Sequence, residues 1–162
     1  MSDRIRLPGD APGQGLYQFD FVATAMFSVF AVVATIWTSL RIPFAVVSCV
    51  LFAVGTAAFL AAYGTALGRS RTEAISLSGV YGLSQSSPKP VQWRFHLLTT
   101  VQTVVAITTA SMRPFTAQAF GILVAMLGLG LGGLWAARHG VFGERDDPRS
   151  QARRQVKESL DD

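Results

Sequence analysis

The sequence predicts an all-α fold: a polytopic membrane four-helix bundle built of two antiparallel hairpins, with both termini cytoplasmic. Three observations predict it. Four apolar stretches, at about 19–40, 43–67, 95–112 and 115–137, approach the roughly 20 residues that cross a hydrocarbon core about 30 Å thick. The 162 residues are 50% hydrophobic and only 15% charged, against about 25% charged in an ordinary soluble domain. Twelve of the fourteen basic residues fall in three segments that four spans place on one side. Lys and Arg resist translocation, so that side is expected to be cytoplasmic.

Residues 1–18 carry Arg4 and Arg6 among Pro8, Gly9, Pro12, Gly13 and Gly15. No apolar period runs through them, and a flexible cytoplasmic tail is expected. Tyr17 sits at interface depth before span one. More than twenty apolar residues then follow, longer than the core of a cleaved signal, so span one is expected to remain as an anchor. It ends at Trp37 and Arg41-Ile42-Pro43, a turn short enough to force a tight reversal. Pro43 suits the first turn of span two, where a missing N–H costs nothing.

The central loop, 68–94, holds Arg69, Arg71, Lys89 and Arg94. Ser70-Arg71-Thr72-Glu73 fits a capping box. The apolar residues after it predict a short helix lying on the membrane surface. Gly79 and Gly82 weaken that helix, and Ser84 to Pro90 reads as irregular. Span three enters at Trp93, and the second turn is Arg113-Pro114-Phe115. Val29, Val32, Val33 and Ala34 match Val101, Val104, Val105 and Ala106 at a shift of about 72 residues. Either a parallel duplication or shared composition accounts for this match. The charged tail, 138–162, is expected to be cytoplasmic and solvated, with Ala152, Val156 and Leu160 as a weak helical face.

The sequence pI near 9.8 reads as charge flanking spans, so no nucleic acid partner is expected. The lone cysteine, Cys49, lies in span two and cannot pair within the chain. No CxxC, HExxH, GxSxG or Walker motif occurs, and His96 and His139 are far apart in sequence. No catalytic residue, cofactor or metal site is therefore assigned.

Span three is the polar one. His96, Thr99 and Thr103 share a helical face, with Gln102 beside it. A helix of this kind faces protein or water rather than lipid. The face fits a polar path, and hydrogen bonding between helices is the simpler account. Asp20 and His96 both fall at the cytoplasmic end, where they can form a titrating gate. Alternatively Asp20 caps span one in the headgroup zone. No carboxylate is expected at mid-span, which argues against a proton-coupled exporter.

Small residues form two ridges. Ala53, Ala57 and Ala61 lie four apart in span two; Gly121 and Ala125, then Gly128 and Gly132, do so in span four. Such ridges let backbones approach closely, inside the bundle or against a partner. The glycine excess of span four points to a protein partner or a second copy there. Arg69, Arg71, Arg94, Arg138 and His139 are expected to contact lipid headgroups of the bilayer.

The Phe19-Asp20 entry, Arg69-Ser70-Arg71-Thr72-Glu73, Arg113-Pro114-Phe115 and the run from Gly132 to Gly140 together carry a resemblance. Over most of 17–143 the chain resembles small four-span integral membrane proteins of actinobacteria without assigned function. The resemblance implies a bacterial cytoplasmic (inner) membrane protein and transfers no site residues. The expected function is non-enzymatic, an accessory or assembly subunit of a larger membrane complex. The alternative is a small homo-oligomeric transporter or channel with a polar path along span three.

Overall fold

The computed structural model describes residues 13–71, 73–84 and 86–143. Among them every long element is a helix. These are α1 (Gln14–Ile36), α2 (Arg41–Arg69), a five-residue α3 (Leu77–Tyr81), α4 (Lys89–Met112) and α5 (Ala125–His139). Short 3₁₀ segments, Thr38–Leu40 and Ala117–Val124, precede α2 and α5. The second 3₁₀ segment and α5 together make one span of 23 residues, Ala117–His139. Four helices are thus long and apolar enough to cross a membrane. The flexible-tail and charged-tail expectations for 1–12 and 144–162 lie outside the described residues.

Helices form here because apolar residues run unbroken for more than twenty positions. In hydrocarbon, only a helix satisfies every backbone donor and acceptor within one segment. The outward faces are apolar as well: Met26, Val29, Ile36, Leu60, Val104 and Ile107 are all more than half exposed. A water-soluble protein seldom presents so continuous an apolar surface.

The fourth span occupies the middle. Its 3₁₀ half and α5 pack against α2 on one side and α4 on the other, while α1 rests mainly on α4 and meets α2 weakly. The start of α1, the end of α5 and the long loop gather at one end of the bundle, here called the loop end. Arg69 at the end of α2 bonds Ala137, and Ala74 N donates to Gly143 O there. The two short connections lie at the opposite, turn end.

Two buried layers result. Near the loop end, Ala58, Ala62 and Ala66 of α2 pack against Leu127, Leu131 and Leu134 of the fourth span, with Phe95 and Leu83. Near the turn end, Phe27, Ala31, Ala34, Phe44, Ala106 and Val124 form the second layer. Phe27 and Phe44 stack with ring centroids 5.7 Å apart. Ala34 and Ala106, equivalent in the sequence match, are both buried in that layer. The match does not extend past the turns: α2 is α-helical from Arg41, whereas the fourth span opens with eight 3₁₀ residues.

Glycine sets the spacing of α2 and α5. A Cβ on Gly55 would lie 2.6 Å from Leu127 N and Cα, and one on Gly130 would strike Gly55 O. The two backbones therefore touch with nothing between them. Gly13, at φ 77°, caps α1 in a left-handed conformation, and its absent Cβ leaves room for the Trp135 ring.

The capping box does not exist. Helix α2 runs on to Arg69, so Ser70 lies at a helix end, with its hydroxyl donating to Leu67 O at 2.8 Å. Glu73 accepts from Arg69 rather than reaching back to a backbone amide. The working cap is Ser76, whose Oγ accepts Gly79 N at 3.0 Å. The short helix it starts is folded onto the bundle. Val80 and Leu83 are buried, and Tyr81 stacks on Phe59 at 4.1 Å and donates to Phe59 O. Burial pushes the Tyr81 phenol above its ordinary range, which keeps that hydroxyl a donor.

Candidate functional site

Asp20 is the unusual group of this chain. It lies six residues into α1, about 9 Å along the axis from Gln14, and it is 0% exposed. It does not cap α1, whose cap is Gly13. The expectation that Asp20 caps span one is therefore corrected. The mean position along the sequence suggested a helix end, but α1 starts earlier than the apolar run does.

Gln102, also 0% exposed, reaches Asp20 from α4. Its Nε2 donates to Asp20 Oδ1 at 2.9 Å and to Thr24 Oγ1 at 2.7 Å. Its Oε1 accepts Gly128 N at 3.3 Å. That amide lies near the start of α5, just after the 3₁₀ segment. One carboxamide thus joins α1, α4 and α5. The missing Cβ of Gly128 makes this possible, since a side-chain carbon there would overlap Thr99 Oγ1 and press on Gln102 Oε1. Asp20 Oδ2 has no hydrogen-bond partner. Among the described residues no basic side chain pairs with Asp20.

A second glutamine repeats the device toward the turn end. Gln118, in the 3₁₀ segment and 0% exposed, donates through Nε2 to Ala31 O at 3.2 Å and to Thr35 Oγ1. Both amides therefore grip the same face of α1. Between the two polar rungs lies the apolar layer of Phe27, Ala31, Ala106 and Val124.

The predicted polar face of span three divides. Gln102 joins Asp20, but His96 does not: it is exposed, and its Nε2 donates to Gly82 O at 3.1 Å. The Asp20–His96 gate is thus corrected to an Asp20–Gln102 contact. Thr99 and Thr103 donate to Phe95 O and Thr99 O, four residues back on their own helix. They are satisfied locally and form no polar path between them.

The small-residue ridges also change places. Gly121, Gly128 and Gly132 are buried within the chain and Ala125 is half-buried. Gly121 faces Phe44, and Gly132 faces Leu83 and Phe95. The partner face expected on span four is therefore corrected to an internal one. Ala53, Ala57 and Ala61 are exposed instead, and the inner ridge of α2 is Ala58, Ala62 and Ala66, one position on.

Of the basic residues, Arg69 forms a clamp within the chain. Its Nη1 donates to Ala137 O at 2.8 Å and its Nη2 to Gly140 O at 3.0 Å, closing the C-terminus of α5. It pairs with Glu73 at 2.8 Å and lies over the Phe142 ring at 5.3 Å. Arg94 lies 5.4 Å over the Tyr17 ring. His139 stands beside Trp135, with centroids 5.8 Å apart. Arg71, Arg94, Arg138 and His139 remain exposed at the loop end.

Sequence reasoning missed Thr24, Thr35 and Gln118. A usable signal existed: Asp20, Thr24 and Thr35 fall on one face of α1, and Gln118 is the only amide side chain in the fourth span. No protein-family model, curated protein or solved structure matches the chain.

Proposed function

We propose that this protein is a non-enzymatic, multi-pass subunit of a larger complex in a bacterial cytoplasmic membrane. Its spans form two antiparallel hairpins with both termini and the long loop inside. The basic residues gathered at the loop end support that orientation. The single observation that carries the assembly reading is the outer face of α2. Ala53, Ala57 and Ala61 are exposed there, and a Cβ on Gly64 or Gly68 would meet no atom within 4 Å. Small residues of this kind admit close helix approach, and among the described residues no helix packs on them.

Replacing Ala57 with a photocrosslinking residue tests the reading, with exposed Val29 of α1 as control. Crosslinking in native membranes to one defined protein from position 57, and not from 29, is expected. Equal, lipid-only labelling from both positions removes the reading.

A second reading, a small transporter, is favoured by the Asp20–Gln102 rung inside the bundle. The apolar layer beyond it and the locally bonded Thr99 and Thr103 count against a path along span three.

A further inference from the structure

We propose that the cleft between α1 and α2 binds one anionic phospholipid, with an acyl chain in the cleft and the phosphate on Arg138. The proposal does not rest on the assembly reading. The two helices are joined only by Trp37 and the 3₁₀ segment Thr38–Leu40, yet they meet weakly. Near the turn end Phe44 of α2 holds Phe27 and Phe30 of α1, each with ring centroids 5.7 Å away. Toward the loop end the helices part. There α1 leans on α4 through Tyr17 and Asp20, while α2 packs on α5. The result is an open cleft of about 760 Å³. Phe19, Val22, Met26 and Val33 line it from α1, Val47 and Leu51 line it from α2, and no lining residue is polar.

Water finds no partner in such a cleft, so in a bilayer hydrocarbon fills it. Two features favour a lipid tail over a partner helix. Helices approach one another in hydrocarbon through small residues, and this cleft is lined mainly by large ones. From Phe19 to Val33 it runs about 21 Å along α1. That exceeds the roughly 15 Å of one leaflet's hydrocarbon but falls short of the roughly 30 Å that a spanning helix needs. The headgroup end is set by α5. Leu134 belongs to the layer packed on Ala58, Ala62 and Ala66 of α2, and Trp135 borders Gly13 at the start of α1. Arg138 follows these two by four and three residues, so it shares their side of α5 and stands between α1 and α2 at the loop end. It is exposed, and among the described residues no acid pairs with it: Glu73 is held by Arg69, and Asp20 is sealed against Gln102. A guanidinium so placed offers its forked donors to a phosphate at the mouth of the cleft.

The test uses the full chain in phosphatidylcholine nanodiscs. The probe is phosphatidylglycerol with a photoactivatable diazirine in its acyl chain, and labelled residues are mapped by mass spectrometry. The expected result is saturable labelling of Val22, Met26 and Val47 by one lipid per chain. Unlabelled phosphatidylglycerol should compete about tenfold better than phosphatidylcholine, the worth of one charge-assisted contact. Arg138→Gln should abolish that preference and Arg138→Lys should keep most of it. Arg71→Gln, which removes another exposed charge at the loop end, should leave it intact. The wild type alone can overturn the proposal. Exposed Leu60 of α2 and Ile107 of α4 labelled as strongly as Met26 would mean ordinary surrounding lipid. Equal competition by the two lipids would remove the phosphate contact and overturn it too. So would an equal loss of preference in Arg71→Gln and Arg138→Gln, or crosslinking of the cleft residues to a second copy in place of the lipid.

Discussion

Gly55→Ala should separate the two helices at the centre of this protein. The added methyl would lie 2.6 Å from Leu127 N and Cα and 2.7 Å from Met126 C, all backbone atoms that cannot rotate away. Ordinary contact begins near 3.4 Å, so α2 and α5 must part by about 0.8 Å. A gap of that size forfeits a quarter to a half of each dispersion contact it opens. The contacts at stake join Ala58, Ala62 and Ala66 to Leu127, Leu131 and Leu134. Overpacking of this kind costs about 1–3 kcal/mol, and the upper end is expected because both partners are backbone. Gly64→Ala is the internal control. It lies nine residues on in the same helix, its methyl would meet nothing within 4 Å, and helix propensity alone predicts a gain of up to about 1 kcal/mol. Equilibrium unfolding in mixed micelles measures both, with the buried Trp135 as the fluorescent probe. A loss below about 0.5 kcal/mol for Gly55→Ala, or equal losses for both variants, would refute the packing described here.

Two further changes follow from the same reasoning. Arg69→Ala removes the donors to Ala137 O and Gly140 O and should cost about 2 kcal/mol, discounted for its partial exposure. Hydrogen exchange at Val141 N, bonded to Ser86 O, should accelerate with it, while Glu73→Gln leaves stability within about 0.5 kcal/mol. An unchanged Val141 exchange rate in Arg69→Ala would show that the clamp does not hold the chain after α5. Phe115 has φ 60° and a fully exposed ring, so Phe115→Gly should stabilise by about 1 kcal/mol in the same unfolding assay. A loss of stability instead would mean that the ring is anchored by lipid at the turn end.

The number of spans was legible because the signal is additive. Twenty apolar residues announce a crossing whatever they touch, and all four helices long and apolar enough to cross lie where the apolar runs do. The polar character of span three was legible for the same reason, and Gln102 does reach another helix. Faces were harder. On α2 the ridge Ala53, Ala57, Ala61 and the ridge Ala58, Ala62, Ala66 are equally small. No solvent contrast separates inside from outside when the solvent is itself apolar. The glycines of α5 suffered the same ambiguity, and their density reflects a helix packed on several sides.

By itself the sequence determined that this chain forms four helices long and apolar enough to cross a membrane, since composition and length suffice for that. Only the tertiary structure decided that the fourth span is central and that Arg69 closes α5. It also decided that Asp20 is sealed against Gln102 and Thr24. Each depends on which residues far apart in sequence, 68 to 82 positions in these hydrogen bonds, come within hydrogen-bond or van der Waals range. Local propensity and hydropathy carry no term for that proximity. In a bilayer, it is set by the close packing that glycine and alanine allow and by the few polar groups that must find one another.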